Sequence, residues 1–141
     1  MDERATEAVV RRWYDALDRG DIATAVDCLA EDVDWDNVSA VPGISDVLPW
    51  LGRFRGRDGA ARAFALREPV VEVLEFKLRS LLVKGDRAVG LVYDHSRCKA
   101  TGQSFEIEIA QLMRCRDGRI AIWKSICDTA PMVAAFRGLA A

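Results

Sequence analysis

Three polar residues stand inside apolar segments of the second half of the chain. They are Asp94 in "GLVYDHSRC", Gln111 in "FEIEIAQLMRC" and Asp128 in "IAIWKSICD". A carboxyl group set among apolar neighbours is suited to general acid or base work. A glutamine amide hydrogen-bonds a carbonyl or a water but transfers no proton near neutral pH. Together they describe acid–base chemistry on a small organic molecule, with Asp128 and Asp94 as acid or base and Gln111 orienting a substrate oxygen. Bland readings stand beside this one. Asp128, followed by Thr129 and Pro131, also suits the cap of a turn or of a helix "APMVAAFRG". Asp94 also suits an exposed strand position, and Gln111 a partner for a buried backbone group. The single His95 and four scattered cysteines, with no C-x-x-C spacing, make a poor zinc set, so no metal or cofactor is expected.

The elements that must position these residues follow from periodicity. "RATEAVVRRWYDALDRGD" carries Val9, Val10, Trp13, Ala16 and Leu17 at helical spacing, with Tyr14 beside Trp13, and Gly20 ends it. Asp21 caps a second helix, "IATAVDCLA". In "EDVDWDN", Val33 and Trp35 alternate with acids up to Asn37, a short strand. Residues 38–56 hold two prolines and three glycines and read as a long loop. A third helix, "RDGAARAFALRE", is stopped by Pro69. Four strand candidates follow, separated by short glycine turns as antiparallel hairpins require. Helices first and long strands after predict an α+β domain, with helices packed on one face of a curved antiparallel sheet.

Alternation sorts the strand side chains. Ile120, Ile122, Lys124, Ile126 and Asp128 share one face of the last strand; Ala121, Trp123, Ser125 and Cys127 share the other. Phe105, Ile107, Ile109, Gln111, Met113 and Cys115 form one row, and Val92, Asp94, Ser96 and Cys98 another. Which parity faces inward stays open for the first and the last of these strands. The tryptophans Trp13 and Trp35 suit a core or a pocket wall better than chemistry.

The 141 residues make one domain with room for a real core, half hydrophobic and 30% charged. A net charge of −2 with interleaved signs speaks against a nucleic-acid partner. No apolar run reaches the ~20 residues that span a bilayer, and "MDERATE" lacks the layout of a signal peptide. A cytoplasmic protein without a membrane partner is expected. The four cysteines are expected reduced and buried.

The runs "RRWYDALDRGDIATAVDCLAEDVDW", "GRFRGRDGAARAF" and "TGQSFEIEIAQLMRCRDGRIAIWKSICDTA" resemble the SnoaL-like polyketide cyclases. These belong to the nuclear-transport-factor-2-like superfamily, with ketosteroid isomerase and limonene epoxide hydrolase. The resemblance covers nearly the whole chain. It implies one domain over residues 1–141, a cone of three N-terminal helices over a strongly bent sheet, and a homodimer through the outer sheet face. It also implies that Asp128 points into the cone, with Ile126 and Met113 as apolar neighbours. Gln111 takes the place of a pocket histidine. The Arg-x-Asp pair of the epoxide hydrolases falls on Asp94 and Ser96, so its arginine is missing. The tyrosine and aspartate of ketosteroid isomerase fall on Trp13 and Asn37, with Tyr14 and Asp36 adjacent. Three functions remain: an enzyme acting on a hydrophobic cyclic or polyketide-like ketone, a non-catalytic module binding a small apolar metabolite, and an epoxide hydrolase in which Asp94 and Asp128 share a water. The tail "AAFRGLAA" either closes the cone, with Phe136 as a plug, or frays.

Overall fold

The computed structural model describes residues 1–139. Helix α1 (Glu3–Asp18) starts at Asp2, whose carboxylate accepts from the Ala5 N–H at 2.8 Å. Its buried stripe is Thr6, Val9, Val10, Trp13, Tyr14 and Ala16. Gly20, at φ 71°, supplies the left-handed residue that ends it. Helix α2 (Ile22–Asp27) is capped by Asp21, which accepts from both the N–H and the hydroxyl of Thr24. It is shorter than expected, because Leu29 already pairs with a strand: β1 (Leu29–Asn37) begins there.

The expected loop at 38–56 is not all loop. Its end is a strand, β2 (Gly52–Arg55), antiparallel to β1, and α3 (Gly56–Arg67) follows at once. The four long strands are β3 (Val71–Lys84), β4 (Arg87–Cys98), β5 (Ser104–Arg116) and β6 (Arg119–Cys127), closed by a short α4 (Ala130–Phe136). The six strands run in the order β2-β1-β6-β5-β4-β3. The sheet is not wholly antiparallel: β1 lies parallel to β6, with Trp35 opposite Trp123 and Asn37 opposite Ser125. Short turns join the strands of the later meander, but no short turn links β1 to β6. A parallel pair needs a long crossover, which here is the rest of the chain. The architecture is the expected α+β cone, with helices over one face of a curved, unclosed sheet.

Two apolar clusters fill the concave side. One packs α1, α2 and α3 onto the sheet around Trp13, Trp35 and Trp123. The other joins the 38–51 segment, through Leu48, Trp50 and Leu51, to Phe105 and Ile107 on β5 and Met132 on α4. Phe136 packs against Trp50 with ring centroids 5.4 Å apart. Arg137 donates to the carbonyls of Gly43 and Ile44. The C-terminal segment up to Leu139 is therefore docked rather than frayed; Ala140 and Ala141 lie outside the described residues. Among the described residues no helix is long and apolar enough to cross a membrane.

Candidate functional site

Between the two clusters, which share only Ile109 among the described residues, a cavity of about 640 Å³ opens between sheet and helices. Its size and largely apolar wall suit a small organic molecule. The inward rows of the strands face the helices, and Asp94, Ile107, Ile109, Gln111, Trp123 and Ser125 reach the cavity floor. On β4, Ala88, Gly90, Val92, Asp94 and Ser96 are buried while their neighbours are more open. On β5 the inward row is Ile107, Gln111 and Met113, and on β6 it is Trp123 and Ser125.

Asp94 is the buried carboxylate among those lining this cavity, only 3% exposed; Asp18, Glu68 and Glu75 stand exposed at its edge. Both of its oxygens are occupied. Ser96 Oγ donates to Oδ1 at 2.5 Å, and Arg67 Nη2 donates to Oδ2 at 3.2 Å. Arg67 comes from the last turn of α3, and its guanidinium carbon lies 5.8 Å from the Trp50 ring centroid. The arginine judged missing from the strand is thus supplied by a helix. Burying a carboxylate is costly unless partners donate to it, and here a guanidinium and a hydroxyl both do.

Across the floor, Gln111, Ser125 and Asn37 occupy one register row on β5, β6 and β1, and all three line the cavity. Tyr14 stands behind Gln111 and donates its hydroxyl to Oε1 at 2.7 Å. The far wall is aromatic. Trp35 and Trp123 stack at 3.8 Å between centroids and 9° between planes, and Trp13 meets Trp35 edge-on at 5.9 Å. The indole N–H groups of all three are buried and find no acceptor among the described residues. Each such donor costs about 1–3 kcal/mol, a cost that ring packing must offset. Cys127 also lines the cavity; burial, then the carboxylates of Asp128 and Asp94, push its thiol up to about 11. It is no thiolate nucleophile at neutral pH.

The expected site residues divide accordingly. Asp94, Gln111, Trp13, Trp35 and Asn37 line the cavity. Tyr14 and Ser96 lie one layer behind, each bonded to a lining residue. Met113 is core. Asp128 and Ile126 are corrections. Ile126 is 51% exposed on the outer face, where parity also puts Ile122 and Lys124. Asp128 is exposed, and its Oδ1 accepts from the Ala130 N–H at 3.0 Å, a local turn contact at the start of α4. The reason is the strand itself: the inward row of β6 is Trp123 and Ser125, so Asp128 shares the parity of Lys124. A water held between Asp94 and Asp128 is accordingly not assembled. Sequence reasoning missed Arg67, Trp50 and Trp123. Lys124 was the signal that could have settled the parity, since a lysine belongs on a wet face. Among the described residues no three His, Cys, Asp or Glu side chains come together as a metal site.

A helix-covered bent sheet of this kind is shared with nuclear-transport-factor-2-like proteins. The SnoaL-like domain family matches residues 10–123, and the chain belongs to that family. An NTF2-like protein of Burkholderia thailandensis E264 is 26% identical, with a TM-score of 0.82 over 92% of this chain and 95% of its own. An NTF2-like protein of Burkholderia xenovorans LB400 is 20% identical, with a TM-score of 0.78 over 96% and 98%. An LEH-like epoxide hydrolase of M. tuberculosis, 21% identical, has a TM-score of 0.68 over 97% and 90%. No curated protein matches the chain.

Proposed function

We propose that the chain is a small-molecule enzyme of the SnoaL and ketosteroid-isomerase type, acting on a hydrophobic cyclic or polyketide-like ketone. Asp94, not Asp128, is its acid–base group. One observation carries this: Asp94 is the buried carboxylate on the floor of the apolar cavity, beside a guanidinium. A carboxylate there removes a proton α to a carbonyl, and its charge passes to the substrate oxygen as an enolate. Arg67 stays beside the newly neutral acid and balances the negative charge. Returned to a different carbon, the proton completes an isomerisation; attack of the enolate carbon on a second carbonyl, with the proton passing from Asp94 to the new alkoxide oxygen, completes an aldol closure.

The test is deuterium uptake at the α carbon of a panel of bicyclic and tricyclic ketones in D₂O, read by mass spectrometry. Exchange is expected with the unaltered protein and with Asp128→Asn. In Asp94→Asn it is expected to fall by roughly 100-fold or more, the usual worth of a positioned acid or base. Equal exchange in Asp94→Asn would sink the assignment.

A second reading, a binding module for a small apolar metabolite, draws on one fact: both Asp94 oxygens already accept from protein donors. Recovery of a tightly bound ketone with no deuterium incorporated would favour it.

A homodimer through the outer sheet face belongs to the proposal. Ser80, Leu91, Ala110 and Ile126 form one register row there, and Leu82, Val89, Leu112 and Lys124 the adjoining one. Leu82, Leu91, Leu112 and Ile126 are exposed, an apolar patch of the kind that marks an interface. A cytoplasmic site of action fits four free cysteines, which a reducing compartment preserves.

A further inference from the structure

Gln111 is 6% exposed and lines the cavity, so the orientation of its amide decides what a ligand meets. The Tyr14 hydroxyl donates to Oε1. That leaves the N–H₂ end, and among the described residues no protein group accepts from it. Tyr14 is buried, and burial pushes its hydroxyl above the ordinary value, so it remains a donor. The phenol reaches Gln111 only because position 90 is glycine. A Cβ there would sit 2.0 Å from the Tyr14 hydroxyl and 2.7 Å from Cζ. Gly90 stands directly opposite Gln111 and has no left-handed backbone. Space, then, and not conformational freedom, is what the glycine supplies. The row beyond it, Gln111, Ser125 and Asn37, runs across three strands. Asp94 lies two register steps away, with Val92 and Ile109 between. Four residues of straight strand span about 13 Å, and bending shortens this at the side-chain tips of the concave face.

Resting on the reading of the cavity given above, we propose that Tyr14 is a positioning residue that locks the Gln111 amide with its N–H₂ toward the cavity, so that this row binds an acceptor oxygen of the ligand. The chemical class is a carbonyl or an enolate. An unlocked amide turns, and its oxygen then repels that group. The specificity rests on a hydrogen bond the ligand never touches.

Two measurements test it. The first needs no ligand: the Tyr14 hydroxyl proton is expected as a slowly exchanging NMR signal, coupled through space to its own ring and lost in Gln111→Leu. A Gln111 amide proton found on the Tyr14 oxygen instead would reverse the amide and overturn the proposal. The second compares binding of 1-tetralone with that of tetralin, the same bicycle without the oxygen. Tyr14→Phe is expected to weaken 1-tetralone by roughly 3- to 10-fold, the worth of one neutral hydrogen bond, and to leave tetralin unchanged. Tyr14→Phe with Gln111→Leu is expected to bind as Gln111→Leu does alone. Equal loss of both probes, or additive losses in the double variant, would show that Tyr14 does not act through Gln111. Binding of neither probe by the unaltered protein would count against the ketone reading itself, and the hydroxyl signal would still decide the orientation of the amide.

Discussion

Arg67 and Asp94 show how a residue's role can be half visible. The alternation of β4 puts Asp94 and Ser96 on one face, and the contact between them follows from two-residue spacing. Arg67 lies on another element, and nothing in its local pattern announces its partner; only the packing of α3 over the sheet brings the two together. Arg67→Met should leave a buried carboxylate without its cation. The expected loss is about 3 kcal/mol, the low end for breaking a buried pair, since Arg67 is partly exposed. Urea denaturation measures it. Asp128 was misplaced for the opposite reason: the family resemblance was followed where parity, marked by Lys124, pointed outward. A second residue-scale expectation concerns alkali. Cys127 is raised from 9.0 to about 11 by burial first, and Cys115 likewise to about 11. Between these values the unfolded chain has lost thiol protons that the folded chain keeps. Stability is therefore whole below about pH 9 and falls as pH rises toward 11. Urea midpoints across that window should fall less steeply in Cys127→Ala.

Among the elements, the helices were the most legible. The stripe of α1, the left-handed Gly20 and the Asp21 cap are local signals, and each appears in the structure as read. The strand β2 was hidden because four residues carry too little period to show, and its existence depends on β1 lying beside it. The parallel pairing of β1 with β6 was likewise invisible, being a contact between distant segments. The Tyr14–Gly90 contact belongs to this scale, since it sets how closely α1 can approach the sheet. Gly90→Ala should cost about 1–3 kcal/mol as an overpacked contact, measured by chemical denaturation. Much of that loss should vanish when Tyr14 is replaced by Leu. A cost unchanged in the Tyr14→Leu background would place the strain elsewhere.

At the scale of the whole molecule, the α+β cone was readable from the order of elements, and the cavity was not. The cavity lies between two clusters assembled from distant segments, and no window of residues contains both. The tail's role was similarly open until Arg137 was seen on the carbonyls of Gly43 and Ile44. Arg137→Ala should speed hydrogen exchange of the backbone amides of 41–51 while leaving those of β4 and β5 unchanged. The apolar outer face carries the expectation about assembly. Leu91→Glu with Ile126→Glu should convert a dimer to a monomer in light scattering without altering the circular dichroism spectrum; a monomer before substitution would remove the dimer from the proposal.

The stacked Trp35 and Trp123 sit on the first and last strands in chain order, which are neighbours in the sheet. Their pairing is one of the longest-range contacts in the chain, and such topologies fold slowly, because loop closure must precede any gain from contact. During synthesis the first strand waits, with one face of its tryptophan unstacked, until the last has left the ribosome. The cavity wall is then among the last parts to form. A nascent chain stalled before β6 should offer chaperones the same apolar surface that the finished protein offers its ligand.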